Sequence, residues 1–227
     1  GTVIAIGKVI PEDGWVQISS PVSAEIKEIR VKEGDEVEQG QVLMILKENN
    51  EELDVAQSQA QLESLKAAHQ TNLSDLAKQD IILQELKSKY ETSKALFAKN
   101  AETKEKVEND LSNLKQQEEL ISGLRIQIKA NKASEKEQSI LISKNKQSLQ
   151  DYQITAIKKG VIAELNVQLG QTINGTEELG KIVDKDNIII EAEVDELFAD
   201  SVKIGQTVDI NFVGKPTVIG KGKIVYV

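Results

Sequence analysis

The chain has 227 residues and a formal net charge of −9, with 29% charged and 3% aromatic residues. The negative charge argues against a nucleic-acid partner, because binding to phosphates requires a basic surface. The absence of cysteine excludes disulfides and thiolate chemistry, and a single histidine, His69, excludes a multi-histidine zinc site. No run of about 18 apolar residues, which would predict a membrane-spanning helix, is present. The first residues resemble the interior of a protein, so we interpret the chain as a piece of a longer one.

In chain order, residues 1–46 predict short β-strands, residues 51–150 predict helix, and residues 155–227 predict β structure again. Short alternating apolar runs separated by glycines are typical of strands and turns. The middle block has no proline and one glycine, Gly123, and it is rich in Leu, Ala, Glu, Lys and Gln, which favour helices. The sequence therefore predicts two β segments separated by a long helical segment.

A heptad repeat divides the helical block into two runs, and we call its positions the heptad seam. Apolar residues that recur every seven positions form the contact line of a coiled coil. The first run comprises Val55, Leu62, His69, Leu76, Leu83, Tyr90 and Phe97, and the second comprises Val107, Leu114, Ile121, Ile128, Glu135, Ile142 and Leu149. The companion positions, three residues further along the first run, hold Ser58, Leu65, Asn72, Gln79, Leu86 and Ser93. This pattern predicts an antiparallel two-helix hairpin with a partly polar interface rather than a tightly packed long dimer.

The two runs of the heptad seam are mirror images about residue 102. Folding the helical block back at this point pairs the seam residues in layers. It also places His69 opposite Glu135, and these are the two polar exceptions of the seam. We predict that the two side chains face each other; the alternative is that they are unrelated surface residues.

The two β segments contain a repeat, which becomes visible when the sequence is shifted by 136 residues. Matched apolar positions and a matched turn glycine indicate a duplicated unit. The matched pairs are Ile26 and Ile162, Ile29 and Leu165, Val31 and Val167, Gly34 and Gly170, Val37 and Ile173, Leu43 and Leu179, and Leu46 and Ile182. Because each half alone has too few strands to bury a face, we predict that both halves pack together in one small β-sandwich.

The repeated segments read SAEIKEIRVKEGDEVEQGQVLMIL and KKGVIAELNVQLGQTINGTEELGKIV, and the stretch IIIEAEVDELFADSVKIGQTVDINF follows them. Each repeat resembles half of a lipoyl or biotinyl carrier domain. Their separation by a helical hairpin resembles the periplasmic adaptor, or membrane fusion, proteins of the HlyD type. The resemblance implies an α+β fold with a split lipoyl-like β-sandwich at 16–47 and 154–186. It also implies an inserted antiparallel α-helical coiled-coil hairpin at 48–153 and a β-barrel domain formed from both chain ends, 1–15 and 187–227.

The resemblance implies a periplasmic adaptor subunit of a tripartite efflux pump or a type I-like secretion system. Such an adaptor links an inner-membrane transporter of the ABC, MFS or RND type to a TolC-like outer-membrane channel, and it forms a homo-oligomer, either a trimer or a hexamer. The family further implies a periplasmic or otherwise extracytoplasmic location, a membrane anchor before residue 1 and a membrane-proximal domain after the barrel. The alternative within the family is an adaptor of an ABC exporter that acts without an outer-membrane channel.

The family also implies a partner-binding site where the two helices meet. Adaptors of TolC-like channels commonly carry an arginine, a leucine four residues later and a serine seven residues beyond it, and here Thr92, Leu96 and Thr103 stand at these positions. Threonine cannot supply the hydrogen bonds of a guanidinium, so Thr92 departs from the pattern. Leu96 and Phe97 suggest an apolar docking surface, although a residue on the heptad seam such as Phe97 is expected to pack inside the turn. The predicted site, which we call the hairpin tip, comprises Thr92, Leu96, Phe97, Lys99, Asn100, Ala101 and Thr103.

A biotin or lipoyl carrier is the alternative from another class of protein. In an ungapped comparison from Val31, the modified lysine of a lipoyl domain falls on Asn50, whose amide cannot be acylated, and Lys47 stands three residues too early. No nucleophile motif such as G-x-S-x-G and no phosphate loop occurs, so we expect neither an enzyme nor a cofactor or metal site. We interpret four glycines as turn residues that the fold requires. They are Gly34, Gly40, Gly170 and Gly175.

Overall fold

The computed structural model of the chain describes residues 2–11, 14–185, 188–211 and 220–227. The chain divides into two compact units. The β unit comprises Gly1–Asn49 and Ser148–Val227, and the hairpin unit comprises Asn50–Gln147. The β unit is thus interrupted in sequence by the whole of the hairpin unit, as expected for an insertion.

Short strands build the β unit, and along several of them buried and exposed side chains alternate because successive residues of a strand point to opposite faces. The strands are β1 (Gly7–Pro11), β2 (Val16–Ile18), β3 (Ala24–Ile29), β4 (Glu36–Val37), β5 (Val42–Leu46), β6 (Gln153–Thr155), β7 (Gly160–Leu165), β8 (Thr172–Ile173), β9 (Gly180–Val183), β10 (Ile188–Ala192), β11 (Thr207–Ile210) and β12 (Gly220–Lys223).

Two four-stranded antiparallel sheets form the sandwich. One has the strand order β2-β9-β7-β4, and the other has the order β6-β5-β3-β8. Each sheet combines strands from before and after the helical insertion. Both parts of the chain are therefore needed to complete either sheet, which is why the halves pack together.

The two halves of the sandwich exchange hydrogen bonds reciprocally. The N–H of Gly34 donates to the carbonyl of Ile162 at 2.8 Å, and the N–H of Gly170 donates to the carbonyl of Ile26 at 2.9 Å. A shift of 136 residues converts one bond into the other with the two copies exchanged. The same shift relates β3 to β7 and β4 to β8. The predicted duplication is therefore confirmed, and each copy completes the other.

An apolar core lies in the sandwich and draws on both copies. Leu43 and Ile162 are fully buried, and full burial of such a side chain contributes roughly 1.5–3 kcal/mol. Its buried members are Ile18, Ile26, Val31, Val37, Leu43, Met44, Leu46, Ile154, Ala156, Ile162, Ile173, Leu179 and Ile182. Four of the matched pairs, including Ile26 with Ile162, are buried in both copies. The repeat in the sequence thus marks the core.

Strands from the two ends of the chain also pair with each other. β1 runs antiparallel to β10, with Gly7 opposite Ala192, and β11 pairs with β12. A short 3₁₀ helix, Glu196–Ser201, follows β10 and begins with the Asp195 carboxylate accepting from the N–H of Leu197. The resemblance implies a β-barrel domain from both chain ends, and in the described residues these strands form two two-stranded sheets of a half-barrel. The predicted barrel segments also include residues 1, 12–13, 187 and 212–219, which lie outside the described residues.

Two long helices form the hairpin unit: α1 spans Glu51–Ala98 and α2 spans Lys104–Gln150. The first turn of α1 carries Glu51, Glu52 and Asp54, where negative charge interacts favourably with the helix dipole. In the part of the chain that the structure describes, neither helix has the length and apolarity needed to cross a membrane.

The interface of the hairpin follows the heptad seam and its companion positions. Every seam residue of α1 except Phe97 is partly buried, and Leu114, Ile121 and Ile142 are buried in α2. The buried residues of α1 are both serines at companion positions, Ser58 and Ser93. These two companion positions therefore lie in the interface although they are polar, so the prediction of a partly polar interface is confirmed.

Polar side chains of one helix bond to the other helix at several levels of the hairpin. His69 Nδ1 lies 3.1 Å from Glu135 Oε1, so the predicted facing of these residues is confirmed. Gln117 Nε2 donates to the carbonyl and the side-chain oxygen of Gln79 at 3.0 and 2.8 Å. Such contacts satisfy groups that would otherwise be desolvated without a partner. They fix the register of the two helices where few large apolar residues are available to do so.

Candidate docking site at the hairpin tip

The turn between the two helices is closed by backbone hydrogen bonds and one left-handed residue. The carbonyl of Leu96 accepts from the N–H groups of Lys99 and Ala101 at 3.1 and 2.8 Å, and the carbonyl of Phe97 accepts from Asn100 at 3.0 Å. Asn100 has a φ of 61°, a conformation that asparagine adopts more readily than most residues other than glycine. The carbonyls at the end of α1 are thereby satisfied, and the turn has a defined shape.

Two large apolar side chains remain exposed at this turn. Leu96 exposes 39% of its surface and Phe97 exposes 44%. The expectation that Phe97 packs inside the turn is therefore wrong. Phe97 occupies the last layer of the heptad seam, α1 ends one residue later, and no further layer follows to cover the ring. The hairpin thus ends in an apolar surface beside the left-handed turn.

The polar residues predicted for the hairpin tip have different environments. Thr92 and Lys99 are exposed. Thr103 precedes the first residue of α2, and its hydroxyl accepts from the N–H of Lys106 at 3.2 Å, as in a helix N-cap. The hydroxyl at the serine position of the family pattern is therefore engaged in starting a helix. Glu102 adds a second bond there, since its carboxylate accepts from the N–H of Thr103 at 3.0 Å.

A buried carboxylate lies in the interface below the tip. Asp110 is among the buried residues of α2, and its carboxylate accepts from Lys106 Nζ at 2.9 Å. Hydrogen bonds from Lys106 and from the Ser93 hydroxyl hold the pKa of Asp110 below its ordinary value. Sequence reasoning missed this residue, although it stands three residues after Val107, at a companion position of the second run. Its companion position could have predicted that Asp110 lies in the interface between the two helices.

The predicted turn glycines fall into two groups. Gly34, Gly40 and Gly170 have φ values of 91°, 81° and 83°, which residues with a Cβ rarely adopt. Gly175 has no positive φ, and its N–H donates to Ser23 Oγ at 3.1 Å. A glycine that was not singled out, Gly180, is required for another reason: a Cβ there would lie 2.2 Å from a backbone carbonyl oxygen of the neighbouring strand β7.

The segment that would present the lysine of a carrier domain has another role in this chain. β5 ends at Leu46, and α1 begins at Glu51 after Asn50, so the chain runs on into a helix instead of turning back as a hairpin. Lys47 is exposed, and its backbone N–H donates to the carbonyl of Glu25 at 2.8 Å. This connection leads the first half of the sandwich into the helical insertion.

A split antiparallel β-sandwich with a helical hairpin between its halves defines the barrel-sandwich hybrid class of protein. The model of the CzcB-like barrel-sandwich hybrid domain family matches residues 14–184, and the chain belongs to this family.

The similar solved structures are distant in sequence. MacA from Actinobacillus actinomycetemcomitans is 20% identical with a TM-score of 0.51, and the match covers 96% of this chain and 64% of that protein. The periplasmic adaptor protein EmrA is 19% identical with a TM-score of 0.45, and the match covers 99% of this chain and 88% of EmrA. No curated protein sequence matches the chain. The likeness to MacA supports the fold.

Proposed function

We propose that the chain is the adaptor subunit of a tripartite efflux pump or a type I-like secretion system. In this role it links an inner-membrane transporter of the ABC, MFS or RND type to a TolC-like outer-membrane channel. It acts in the periplasm as part of a homo-oligomer, a trimer or a hexamer, anchored to the cytoplasmic membrane. Membership of the CzcB-like barrel-sandwich hybrid domain family supports the general role. The observation that carries the link to a channel is the exposed pair Leu96 and Phe97 at the hairpin tip.

Burial of this apolar pair is the interaction that the tip offers to a channel. Large side chains that enter a partner's pockets dominate the binding energy of most interfaces. Because Thr92 stands where a guanidinium is expected, the contact relies on Leu96 and Phe97 rather than on charge-assisted hydrogen bonds. Asn100 and the backbone bonds around it hold the pair in place. The tip therefore presents an apolar surface of defined shape, and no large loop has to become ordered when a partner binds.

The second candidate function is an adaptor of an ABC exporter that needs no outer-membrane channel. Two observations favour it: Thr92 replaces the arginine, and the Thr103 hydroxyl is engaged by α2. In this role the hairpin tip contacts another extracytoplasmic component or the cell envelope itself. The two functions share the fold and the transporter, and they differ in what the tip touches.

Site-specific crosslinking at the tip distinguishes the two functions. The chain lacks cysteine, so a cysteine introduced by Ala101→Cys reacts at one place. Ala101 is exposed, and it avoids the strained φ of Asn100. The matched control is Ser64→Cys, at an exposed position of α1 remote from the turn. The experiment is done in cells with an outer membrane. The first function is supported if Ala101→Cys crosslinks to an outer-membrane channel and Ser64→Cys does not.

The apolar pair is tested by its removal. We expect Leu96→Ser and Phe97→Ser to abolish the crosslink and to reduce export, whereas Leu73→Ser, which removes a leucine of α1 that is as exposed as Leu96, leaves both unchanged. Export that persists without any captured channel overturns the first function and supports the second. Capture that survives both tip substitutions shows that the apolar pair is not the contact.

A further inference from the structure

We propose that Asn174 is a site of spontaneous deamidation, and that its loop in the folded protein is arranged to promote the reaction. Asn174 is followed by Gly175, and this is the one Asn-Gly pair in the sequence. The pair lies in the loop between β8 and β9, and both residues are exposed. Glycine has no Cβ to hinder attack by its own backbone nitrogen on the side chain before it. The inference does not depend on the proposed transport function.

The carboxamide of Asn174 is held and polarised by the residue two positions later. Its Oδ1 accepts from the backbone N–H of Thr176 at 2.8 Å and from the Thr176 hydroxyl at 2.6 Å. Two donors on one carbonyl oxygen draw electron density from Cγ. They also stabilise the negative charge that develops on Oδ1 when a nucleophile adds, as the donors of an oxyanion hole do. Thr176 therefore acts as a positioning residue for the carboxamide.

The attacking nitrogen is the backbone nitrogen of Gly175, and its proton has an acceptor. The N–H of Gly175 donates to Ser23 Oγ at 3.1 Å, and Ser23 is exposed to solvent. The serine oxygen polarises the N–H and offers the departing proton a route to water. Both reacting groups are thus bonded to neighbours in a way that makes Cγ more electrophilic and the nitrogen more nucleophilic.

The reaction needs no reagent other than water. The Gly175 nitrogen forms a bond to Cγ of Asn174 and loses its proton to solvent. The Cγ–Nδ2 bond breaks, and Nδ2 takes up a proton and leaves as ammonia, which produces a cyclic succinimide. Water then opens the ring at either carbonyl and yields aspartate or isoaspartate. One ammonia is released and one water is consumed.

Deamidation changes both the charge and the backbone of the loop between β8 and β9, next to the core of the sandwich. A new carboxylate arises beside Glu177 and Glu178. Isoaspartate also adds a methylene to the main chain of a loop that connects two residues of the core, Ile173 and Leu179, which are 0% and 1% exposed. A longer loop shifts the pairing of β8 with β3. Deamidation therefore weakens the second half of the sandwich as the protein ages.

Peptide mapping by mass spectrometry tests the proposal on the intact chain. After incubation of the native protein at mildly alkaline pH, we expect the peptide containing Asn174 to gain about 1 Da before any other asparagine peptide does. Two products, aspartate and isoaspartate, are expected. Gly175→Ala should slow the gain by at least about tenfold, because a methyl group raises the barrier by roughly 1.4 kcal/mol or more. A Cβ at this position meets no atom closer than 3.4 Å, so the variant retains the fold.

A matched pair of variants tests the role of the loop. Thr176→Val removes the hydroxyl donor and is expected to slow the reaction several-fold, whereas Thr176→Ser keeps the donor and should react at the wild-type rate. Circular dichroism of each variant checks that the fold is unchanged. If other asparagines react before Asn174, the site is refuted. If Thr176→Val reacts as fast as wild type, promotion by the loop is refuted.

Discussion

The polar layer of His69 and Glu135 makes a prediction about the stability of the hairpin. The two side chains hydrogen-bond at 3.1 Å and leave only 18% and 21% of their surfaces exposed. A hydrogen bond that involves a charged group contributes roughly 1.5–3 kcal/mol, and removal of one partner leaves the other desolvated. We expect His69→Leu or Glu135→Leu alone to lower the free energy of unfolding by about 1 kcal/mol, because the new leucine offsets part of that loss.

Replacement of both residues by leucine should instead raise the free energy of unfolding. Full burial of a leucine contributes about 1.5–3 kcal/mol, so two leucines at these mostly buried positions contribute roughly 2–4 kcal/mol together. This exceeds the net contribution of the polar pair, as is common when well-packed apolar residues replace a buried polar pair. The double variant should therefore be more stable than wild type by about 1 kcal/mol. The resulting layer continues the apolar heptad seam.

Urea unfolding followed by far-ultraviolet circular dichroism measures this effect, because α1 and α2 provide nearly all of the helical signal in the described chain. The four proteins form a double-mutant cycle, and we expect a coupling free energy of about 3 kcal/mol between the two positions. Single variants whose effects add to within about 0.5 kcal/mol of the double variant would refute the reasoning. In that case the two side chains do not depend on each other in solution.

Three further substitutions are expected to have distinct effects. Gly180→Ala should unfold the β unit at a lower temperature, since the new Cβ would lie 2.2 Å from the carbonyl oxygen of Glu164. Gly123 lies in α2 at a position where an added Cβ meets no atom within 4 Å apart from the helix's own nearby backbone. Gly123→Ala should therefore raise the free energy of unfolding of the hairpin by roughly 0.5–1 kcal/mol, measured by urea unfolding. Asp110→Asn should lower the free energy of unfolding of the hairpin at neutral pH. It should also weaken the dependence of this free energy on pH in the acid range. Because the pKa of Asp110 is lowered in the fold, mainly by Lys106, its contribution is present above the unfolded pKa and is lost as the pH falls through the lower folded pKa.

The outcomes that contradict these three predictions are equally distinct. Gly180→Ala with an unchanged melting temperature would show that β7 and β9 can separate without loss. Gly123→Ala that destabilises the hairpin would point to a contact absent from the described chain. An acid unfolding curve of Asp110→Asn that parallels wild type would show that Lys106 and Ser93 do not bind the carboxylate in solution.

Periodicity predicted most of the fold because it reports which face of each element is buried. The heptad seam identified both helices and the layer of His69 and Glu135, and the shift of 136 residues identified paired strands such as β3 and β7. These features depend on regular spacing along the chain, so they are visible without coordinates. The close approach at Gly180 depends on where two backbones meet, and no local pattern reveals it.

The hairpin tip was harder to predict because periodicity ends there. The exposure of Phe97 follows from the end of α1 one residue later, and a seam position alone suggests the opposite. The role of Thr103 was accessible, since a threonine just before a helix is a common N-cap. The family pattern suggests that this hydroxyl contacts a channel, whereas in the structure it accepts a hydrogen bond from the first turn of α2. The burial of Asp110 could not be predicted from α2 alone, because it depends on the packing of α1 against α2.

The reciprocal bonds between the two halves of the sandwich also constrain the order in which the chain folds. Strands such as β3 and β8 must meet across the whole helical insertion, and closure of so long a loop is slow when the loop is flexible. The helices form by local contacts, and a formed hairpin brings its own ends together, where Asn145 Nδ2 donates to the carbonyl of Asp54 at 3.2 Å. We therefore expect a formed hairpin to speed the pairing of the two halves of the sandwich. Removal of matched heptads from both helices should leave refolding of the β unit fast, as followed by the fluorescence of Trp15, whereas a flexible linker in place of the hairpin should slow it.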